Sequence, residues 1–223
     1  MLDIVIPMAG EGRRFAEAGY LEPKPLIDVN GAPMVSRVVD CLTPREPHRF
    51  HLLDQEKVGK TAGAVDTILK GGIFNGETLL ANCDQYLSCS IDDFLADARG
   101  EGLLVGPSDA SVMVFNSTNP HHSYVKICRG FVTEIVEKRV ISDNAVVGVY
   151  WFARGLTDYA EKVVAADARH AGEFYVSAIL AAMVADGLRV RAYEVDVHAK
   201  HMLGTPEELR IFLDKVADGR VVL

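Results

Sequence analysis

The residues best suited to chemistry stand near the start of the chain, in the segment PMAGEGRRF and the Pro-Lys-Pro that follows it. Gly10 and Gly12 come directly after an apolar run that is typical of a buried strand. Because glycine has no Cβ, the backbone of such a loop can approach a ligand closely, and its N–H groups can hold phosphate oxygens. Arg13, Arg14 and Lys24 add positive charge. The pattern predicts a phosphate-binding loop and a returning lysine, as in an enzyme that handles a nucleoside triphosphate.

Other interpretations of this loop fit the residues less well. A dinucleotide-binding fingerprint requires a third glycine where Phe15 stands, and a helix that the Pro-Lys-Pro sequence would interrupt. The tripeptide Gly59-Lys60-Thr61 ends like a P-loop, but Asp54 occupies the place of its first glycine. A tight turn with solvated arginines stays open as a purely structural reading.

An acidic residue follows a later predicted strand. Asp84 comes directly after the apolar run 77–82, and Mg²⁺ prefers one or two carboxylates together with substrate phosphates. Asp84 is therefore the metal candidate, although an aspartate in a strand-end turn is common. Asn82 could hold a ribose, orient Asp84 or simply end the strand.

The second half of the chain offers groups for a second substrate. Lys138 provides three donors for a phosphate or a sugar hydroxyl, and Glu137 accepts from hydroxyls, but such a pair is often only a solvated edge. Tyr150 lies in an apolar strand, where a tyrosine more often belongs to the core than to a binding site. Glu173 opens a predicted helix, where its charge favours the helix dipole, and it could also bind a polar acceptor.

These residues must be positioned by alternating strands and helices. Up to residue 115 the alternation predicts right-handed crossovers and a mostly parallel sheet flanked by helices. A hairpin around Arg129-Gly130 predicts an antiparallel addition in the second half. Ligands of open α/β sheets lie beyond the carboxyl ends of the strands, so the Gly10 loop and Asp84 are expected at one crevice. The predicted strands are 2–6, 50–53, 77–82, 110–115, 123–127, 131–135, 145–152 and 189–195, and the predicted helices are 34–42, 63–70, 91–98, 156–166, 174–185 and 206–216, with Ser90 and Thr205 as caps.

Composition narrows the class of protein. The 223 residues predict a single α/β domain, 1–223. The net charge is −8 without a basic stripe, which argues against nucleic acid as a partner. Apolar runs are too short for a membrane helix, and the N-terminus shows no signal peptide. Four scattered cysteines without metal-ligand spacing are typical of reduced thiols, so we expect a cytoplasmic protein.

Taken in order, the motifs resemble those of the sugar-phosphate nucleotidylyltransferases, also called nucleoside-diphosphate-sugar pyrophosphorylases. The similarity is greatest to bacterial members linked with capsule and surface polysaccharide, including cytidylyltransferases, and it covers nearly the whole chain. The motifs are Pro7-Met8-Ala9-Gly10-x-Gly12-x-Arg14-Phe15, Pro23-Lys24-Pro25-Leu26, Thr61-x-Gly63-Ala64, Asn82-x-Asp84-Gln85, Ser123-Tyr124-x-Lys126, Glu137-Lys138-x-x-Ile141-Ser142-Asp143, Val147-Gly148-Val149-Tyr150, Glu173-Phe174-Tyr175 and Gly204-Thr205-Pro206-Glu207-x-Leu209.

The resemblance implies a Rossmann-like, GT-A-like nucleotidyltransferase fold and a Mg²⁺-dependent reaction. An acceptor phosphate would attack the α-phosphorus of an NTP, with CTP or UTP/dTTP favoured, and pyrophosphate would leave. The acceptor would be a phosphorylated sugar or a similar small polar molecule. By this resemblance Arg14, Lys24 and Asp84 would be catalytic, with Asp84 also the metal ligand. Nucleotide-binding residues would be Ala9, Gly10, Gly12, Arg13, Thr61, Gly63 and Asn82, and acceptor-binding residues would be Ser123, Tyr124, Glu137, Lys138, Gly148, Tyr150 and Glu173.

Two departures from the family pattern keep alternatives open. Many relatives carry a second metal-binding acid just before the Gly-Thr motif, where this chain has His201-Met202-Leu203. The connection between Leu53 and Thr61 is also short, and we expect it to lack the helix and strand of relatives. A catalytically silent nucleotide-binding or regulatory domain is therefore one alternative, and a GT-A glycosyltransferase is another. Homo-oligomerisation stays open.

Overall fold

The computed structural model describes residues 1–102 and 106–223. Its main feature is an eight-stranded mixed sheet, accompanied by a two-stranded sheet. The strands are β1 (Leu2–Pro7), β2 (His48–Leu53), β3 (Thr78–Ala81), β4 (Gln85–Leu87), β5 (Ala110–Asn116), β6 (Tyr124–Cys128), β7 (Phe131–Val136), β8 (Asn144–Phe152), β9 (Val190–Glu194) and β10 (Lys200–Met202). The main sheet has the order β2-β1-β3-β8-β5-β9-β7-β6, and β4 pairs with β10.

Strand direction in the main sheet is mixed. β1 pairs in parallel with both β2 and β3, and β5 pairs in parallel with β9. β8 lies between β3 and β5 and is antiparallel to both, and β6 and β7 form an antiparallel pair. The predicted α/β class with a mixed sheet is therefore confirmed, but the prediction of a mostly parallel sheet is wrong. In the described main sheet three of the seven neighbouring strand pairs are parallel and four are antiparallel, because β8 lies between β3 and β5 and the β6–β7 hairpin joins β9 in antiparallel.

Helices cover the two faces of the sheet. They are α1 (Arg13–Glu17), α2 (Met34–Leu42), α3 (Gln55–Val58), α4 (Ala64–Gly71), α5 (Ile91–Arg99), α6 (Leu156–Ala165), α7 (Val176–Ala185) and α8 (Pro206–Ala217), with a 3₁₀ helix at Lys24–Leu26. The predicted caps are confirmed, because the Ser90 hydroxyl accepts from the N–H of Asp93 and the Thr205 hydroxyl from that of Glu208. None of the helices in the described ranges is long and apolar enough to cross a membrane.

The core forms on both sides of the sheet because side chains alternate along each strand. In β1, Val5 packs on the face covered by α4, α6 and α7, whereas Ile4 and Ile6 pack on the face covered by α2 and α5. A third cluster joins α8 to the start of the chain through Phe15 and Phe212. Strands buried on both faces are apolar throughout, as the sequence of β8 shows.

Two local predictions need correction. The connection after Leu53 is not without a helix, because α3 forms there with Asp54 as its N-cap. The helix predicted from residue 174 begins two residues later, at Val176.

Candidate functional site

A cavity of about 530 Å³ opens where β1 and β3 end. The glycine loop after β1, the 3₁₀ helix, the residues before α4, the residues after β3 and the segment before α7 form its walls. The cavity contains every residue predicted to be catalytic or nucleotide-binding, and one predicted acceptor residue. These are Ala9, Gly10, Gly12, Arg13, Arg14, Lys24, Thr61, Gly63, Asn82, Asp84 and Glu173.

An ion pair lies in this cavity. The Lys24 Nζ is 2.5 Å from Asp84 Oδ2, and the two side chains are only 14% and 20% exposed. Gly12 allows Lys24 to approach, because its φ is +61° and a Cβ there would stand 3.0 Å from the Lys24 Cβ. Lys24 therefore packs directly against the glycine loop. A residue that neutralises a phosphate bound by that loop must lie in this position.

The remaining cations of the loop are exposed. Arg13 donates a 2.7 Å hydrogen bond to Glu11, and this bond, with the charges of Arg13 and Lys60, holds the pKa of the Glu11 carboxyl below its ordinary value. In the described ranges no hydrogen bond or ion pair ties down the Arg14 guanidinium. Arg14 is thus an exposed cation at the cavity wall, next to a loop whose amides suit phosphate oxygens.

The wall before α4 is built against the segment before α7. The N–H of Phe174 donates to the carbonyl of Ala62 at 2.8 Å, and its carbonyl accepts from the N–H of Val65 at 3.2 Å. Gly63 lies between these bonds with φ +105°, and a Cβ there would be 2.6 Å from the Phe174 carbonyl oxygen. Only glycine fits this approach, which fixes Thr61 and Glu173 on neighbouring walls of the cavity.

Gly148 lies behind Asn82 and lines neither described cavity, which differs from its predicted place among the acceptor residues. Its carbonyl accepts from the N–H of Asn82 at 3.0 Å and from Nε2 of Gln85 at 3.0 Å. Its φ is +102°, and a Cβ would collide with the Asn82 side-chain amide. Gly148 therefore holds Asn82 at the cavity from behind.

A second, smaller cavity of about 180 Å³ contains Glu137. The hydroxyls of Ser123 and Ser177 donate to one oxygen of this carboxylate, the latter at 2.7 Å. Tyr175 lines both cavities, so they are adjacent. The Lys138 ammonium donates to the Tyr175 hydroxyl at 2.5 Å.

Tyr175 is a residue that sequence reasoning did not assign to the site. Its hydroxyl donates to Glu173 at 2.7 Å, so it links Lys138 to that carboxylate. Burial, followed by the hydrogen bond from this hydroxyl to Glu173, raises the pKa of Tyr175. The sequence analysis assigns Lys138 and Glu173 to the site but not Tyr175, which connects them, although Tyr175 belongs to the Glu173-Phe174-Tyr175 motif.

Tyr124 and Tyr150 do not line either cavity, which corrects their prediction as acceptor-binding residues. Tyr124 is fully buried, and its hydroxyl donates to the Asn119 carbonyl at 2.7 Å. Tyr150 is 5% exposed in the middle of β8, between Leu80 and Val112 of the flanking strands. Burial and the nearby Glu137 charge raise its pKa. Both tyrosines are core residues.

The donor groups around Asp84 bear on the predicted metal. Within residues 1–102 and 106–223 no group of three His, Cys, Asp or Glu side chains is arranged to hold an ion. Two carboxylates do meet at Gly204, since a Cβ there would lie 3.1 Å from Asp84 Oδ2 and 3.2 Å from Glu208 Oε2. Two carboxylate oxygens therefore lie near a gap about the size of a methyl group. This donor set suits Mg²⁺, whose remaining coordination positions substrate phosphates would fill.

Comparison with known proteins places this geometry in context. No protein-family model matches the chain. The chain is 28% identical, over 90% of its length, to the bifunctional protein GlmU of Neisseria meningitidis, and it spans 47% of that relative's length.

Solved structures share the whole fold. A nucleoside-diphosphate-sugar pyrophosphorylase from Vibrio cholerae aligns with a TM-score of 0.73 at 21% identity, covering 95% of this chain and 99% of that one. The inositol-1-phosphate CTP transferase from T. maritima aligns with a TM-score of 0.70 at 14% identity, covering 100% and 98%. The chain has the nucleotidyltransferase fold, and its predicted resemblance to the sugar-phosphate nucleotidylyltransferases is confirmed.

Proposed function

We propose that the chain is a nucleotidyltransferase that transfers a nucleotidyl group from an NTP to a phosphorylated sugar or a similar small polar acceptor. The observation that carries the proposal is the Lys24–Asp84 pair, which joins the glycine loop to the end of β3 inside one cavity. The fold shared with a sugar pyrophosphorylase and a CTP transferase supports the same reaction class.

In the proposed reaction, an oxygen of the acceptor phosphate attacks the α-phosphorus of the NTP. The bond from the α-phosphorus to the bridging oxygen breaks, and pyrophosphate leaves with the bonding electrons. Such in-line transfer depends on positioning and on neutralising phosphate charge, more than on covalent help. Lys24 would neutralise the α-phosphate, while Arg14 and the Gly10 and Gly12 amides would bind the outer phosphates.

The metal would be held at Asp84. When bound, Mg²⁺ would neutralise the phosphates opposite Lys24 and help to orient them for attack. Lys24 pairs with Asp84 Oδ2, so a triphosphate would draw the ammonium away from the carboxylate as it binds. Lys24 would then contact the phosphate, and the Asp84 carboxylate would be free to hold the ion.

The acceptor would occupy the region where the two cavities meet at Tyr175. Glu173 and Glu137 are the carboxylates available to acceptor hydroxyls, and Lys138 is the nearby cation for its phosphate. Both hydrogen bonds to Glu137 engage the same oxygen, which leaves the other oxygen for a ligand.

Two finer parts of the proposal rest on the sequence resemblance: the preference for CTP, UTP or dTTP, and a product used in surface-polysaccharide precursors. The proposed cytoplasmic location rests on the pattern of cysteines, and the organisation as one domain, 1–223, rests on chain length. The cavity walls at Thr61, Gly63 and Asn82 would form the nucleoside side.

Pyrophosphate release tests the proposal. The full chain would be incubated with Mg²⁺, each of CTP, UTP, dTTP, GTP and ATP, and a panel of sugar phosphates. We expect release that requires both substrates, with a nucleotide-sugar product in equal amount. Release of nucleoside diphosphate from a nucleotide sugar would instead indicate a glycosyltransferase.

A silent nucleotide-binding domain is the second candidate. It is favoured by the absence of an acid in His201-Met202-Leu203, where the family resemblance places a second metal-binding acid. A thermal shift on adding an NTP with Mg²⁺, without pyrophosphate release on any acceptor, would favour this candidate.

A further inference from the structure

Glu208 lies at the start of α8 and is directed back over the preceding turn. Its N–H donates to the Thr205 hydroxyl at 3.1 Å, so it occupies the N3 position of the helix. In a capping box its carboxylate would return to the N-cap N–H. The described part of the chain shows no such bond, and Oε2 instead stands 3.2 Å from the point where a Gly204 Cβ would be.

The Asp84 carboxylate also approaches this point. Its Oδ2 is 3.1 Å from that position, and Gly204 itself lines the large cavity. The two carboxylates therefore converge on a gap that exists only because residue 204 has no side chain. Like charges that share one region repel each other, which favours a cation near this gap.

A buried lysine provides an independent sign that this region is built around charge. Lys200 is 7% exposed, and within the described ranges its ammonium has neither a hydrogen bond nor an ion pair. It lies 3.5 Å from the centre of the Phe115 ring. Burial lowers the pKa of Lys200 to about 8, and the charges of Glu208 and Asp84 oppose that change, so both carboxylates lie near it.

The charges around the gap do not balance once a nucleotide binds. Within the chain itself, Lys24 and Lys200 offset Asp84 and Glu208. A triphosphate that draws Lys24 away would leave two carboxylates facing one buried ammonium. Two negative charges and one positive charge would then stand beside the negatively charged phosphates. A divalent cation that enters with the phosphates would offset this excess of negative charge, and the carboxylate oxygens of Asp84 and Glu208 could bind it.

We propose that Glu208 is the second carboxylate ligand of the divalent cation held by Asp84. Its carboxylate comes from the first turn of α8, next to Gly204, and it takes the role of the acid that is absent from His201-Met202-Leu203. The catalytic meaning of this site rests on the proposed function, whereas the binding of the ion does not.

Direct titration of the full chain with Mn²⁺ tests the inference. Binding would be followed by electron paramagnetic resonance of free Mn²⁺, with and without CTP, because substrate phosphates complete such sites. Glu208→Gln keeps the side-chain length and the N3 hydrogen bond, and glutamine is accepted in a capping box. Glu207→Gln is the matched control, since its exposed carboxylate pairs with Arg210 at 2.8 Å.

We expect Glu208→Gln to weaken Mn²⁺ binding about tenfold or more, and Glu207→Gln to leave it unchanged. Gly204→Ala provides a second variant, because its methyl group would occupy the gap without altering either carboxylate; it should weaken binding too. Equal affinity in wild type and Glu208→Gln would overturn the inference, as would absence of Mn²⁺ binding by the wild type under both conditions.

Pyrophosphate release by the same samples separates this inference from the proposed function. Loss of Mn²⁺ binding in Glu208→Gln, with a wild type inactive on every substrate pair, would support the ion site and contradict the proposed reaction. An active wild type, together with a Glu208→Gln variant of unchanged Mn²⁺ affinity, would support the proposed reaction and contradict the ion site.

Discussion

Replacing Gly63 by alanine should destabilise the protein strongly, because Gly63 lies where two walls of the cavity meet. With φ +105° and ψ −179°, its backbone is in a region that is essentially restricted to glycine, which costs another residue about 1–3 kcal/mol. The added Cβ would also stand 2.6 Å from the Phe174 carbonyl oxygen and 2.8 Å from its nitrogen. These are backbone atoms that cannot rotate away.

The expected loss follows from what must move. Separating the walls would break the bonds from Phe174 to Ala62 and from Val65 to Phe174, each contributing about 1 kcal/mol. Together with the backbone cost, the free energy of unfolding should fall by about 4 kcal/mol. For a domain of this size that corresponds to a Tm roughly 10 °C lower.

Gly59→Ala is the matched control for this measurement. Gly59 also has a glycine-type backbone, with φ +70° and ψ −162°, but no atom lies within 4 Å of the position that an added Cβ would take. Gly59→Ala should lose only the cost of the unfavourable backbone conformation, so its free energy of unfolding should fall by about 2 kcal/mol and its Tm by roughly 5 °C. Thermal unfolding followed by circular dichroism, with CTP and Mg²⁺ added in a second series, measures both effects. Equal losses in the two variants would refute the close-approach argument, as would an unchanged CTP-induced shift in Gly63→Ala.

Three further predictions concern single residues. Asp84→Asn should abolish pyrophosphate release and its dependence on Mg²⁺ together. It should also lower the free energy of unfolding by on the order of 2 kcal/mol, because Lys24 loses its partner in a mostly buried pair. Full activity with ordinary Mg²⁺ dependence would contradict the assignment of Asp84 as the metal ligand. Tyr150→Phe should leave KM for the acceptor within about twofold, because the hydroxyl lies in the core; a large rise in KM would restore its predicted acceptor role. Burial lowers the pKa of His201 to about 4, so between pH 6.5 and 4 the unfolded chain binds more protons than the folded chain. The free energy of unfolding should therefore decrease by at most about 3 kcal/mol as the pH is lowered from 6.5 to about 4. In denaturant melts, His201→Phe should flatten this pH dependence, whereas His198→Gln, at an exposed position, should leave it unchanged.

Local signals made much of the fold predictable from sequence. Ser90 and Thr205 mark helix starts by the chemistry of their hydroxyls, and both cap as predicted. The strands of the first half are apolar runs bounded by turn residues, and their ends place the glycine loop and Asp84 at one crevice. By contrast, β4 and β10 have three residues each, which is too short for any periodic pattern.

The roles of the tyrosines could not be read in the same way. In β8 all residues after Asn144 are buried, so alternation does not reveal which side chain faces a ligand. Only the Val147-Gly148-Val149-Tyr150 motif indicated a functional role for Tyr150. The pairing of β8 with both β3 and β5 places this side chain in the core. The meeting of Asp84 and Glu208 at Gly204 is likewise a tertiary fact, since the residues are distant in sequence.

The most direct test of the central claim is the rate of pyrophosphate release in Lys24→Met, compared with Lys126→Met. Lys126 also forms a 2.6 Å ion pair with a carboxylate, Glu134, but on the exposed hairpin outside both cavities. If Lys24 neutralises the reacting phosphate, its replacement should lower turnover by about 100-fold or more, with the Lys126 variant close to wild type. Wild-type turnover in Lys24→Met, under conditions where both variants remain folded, would contradict the account.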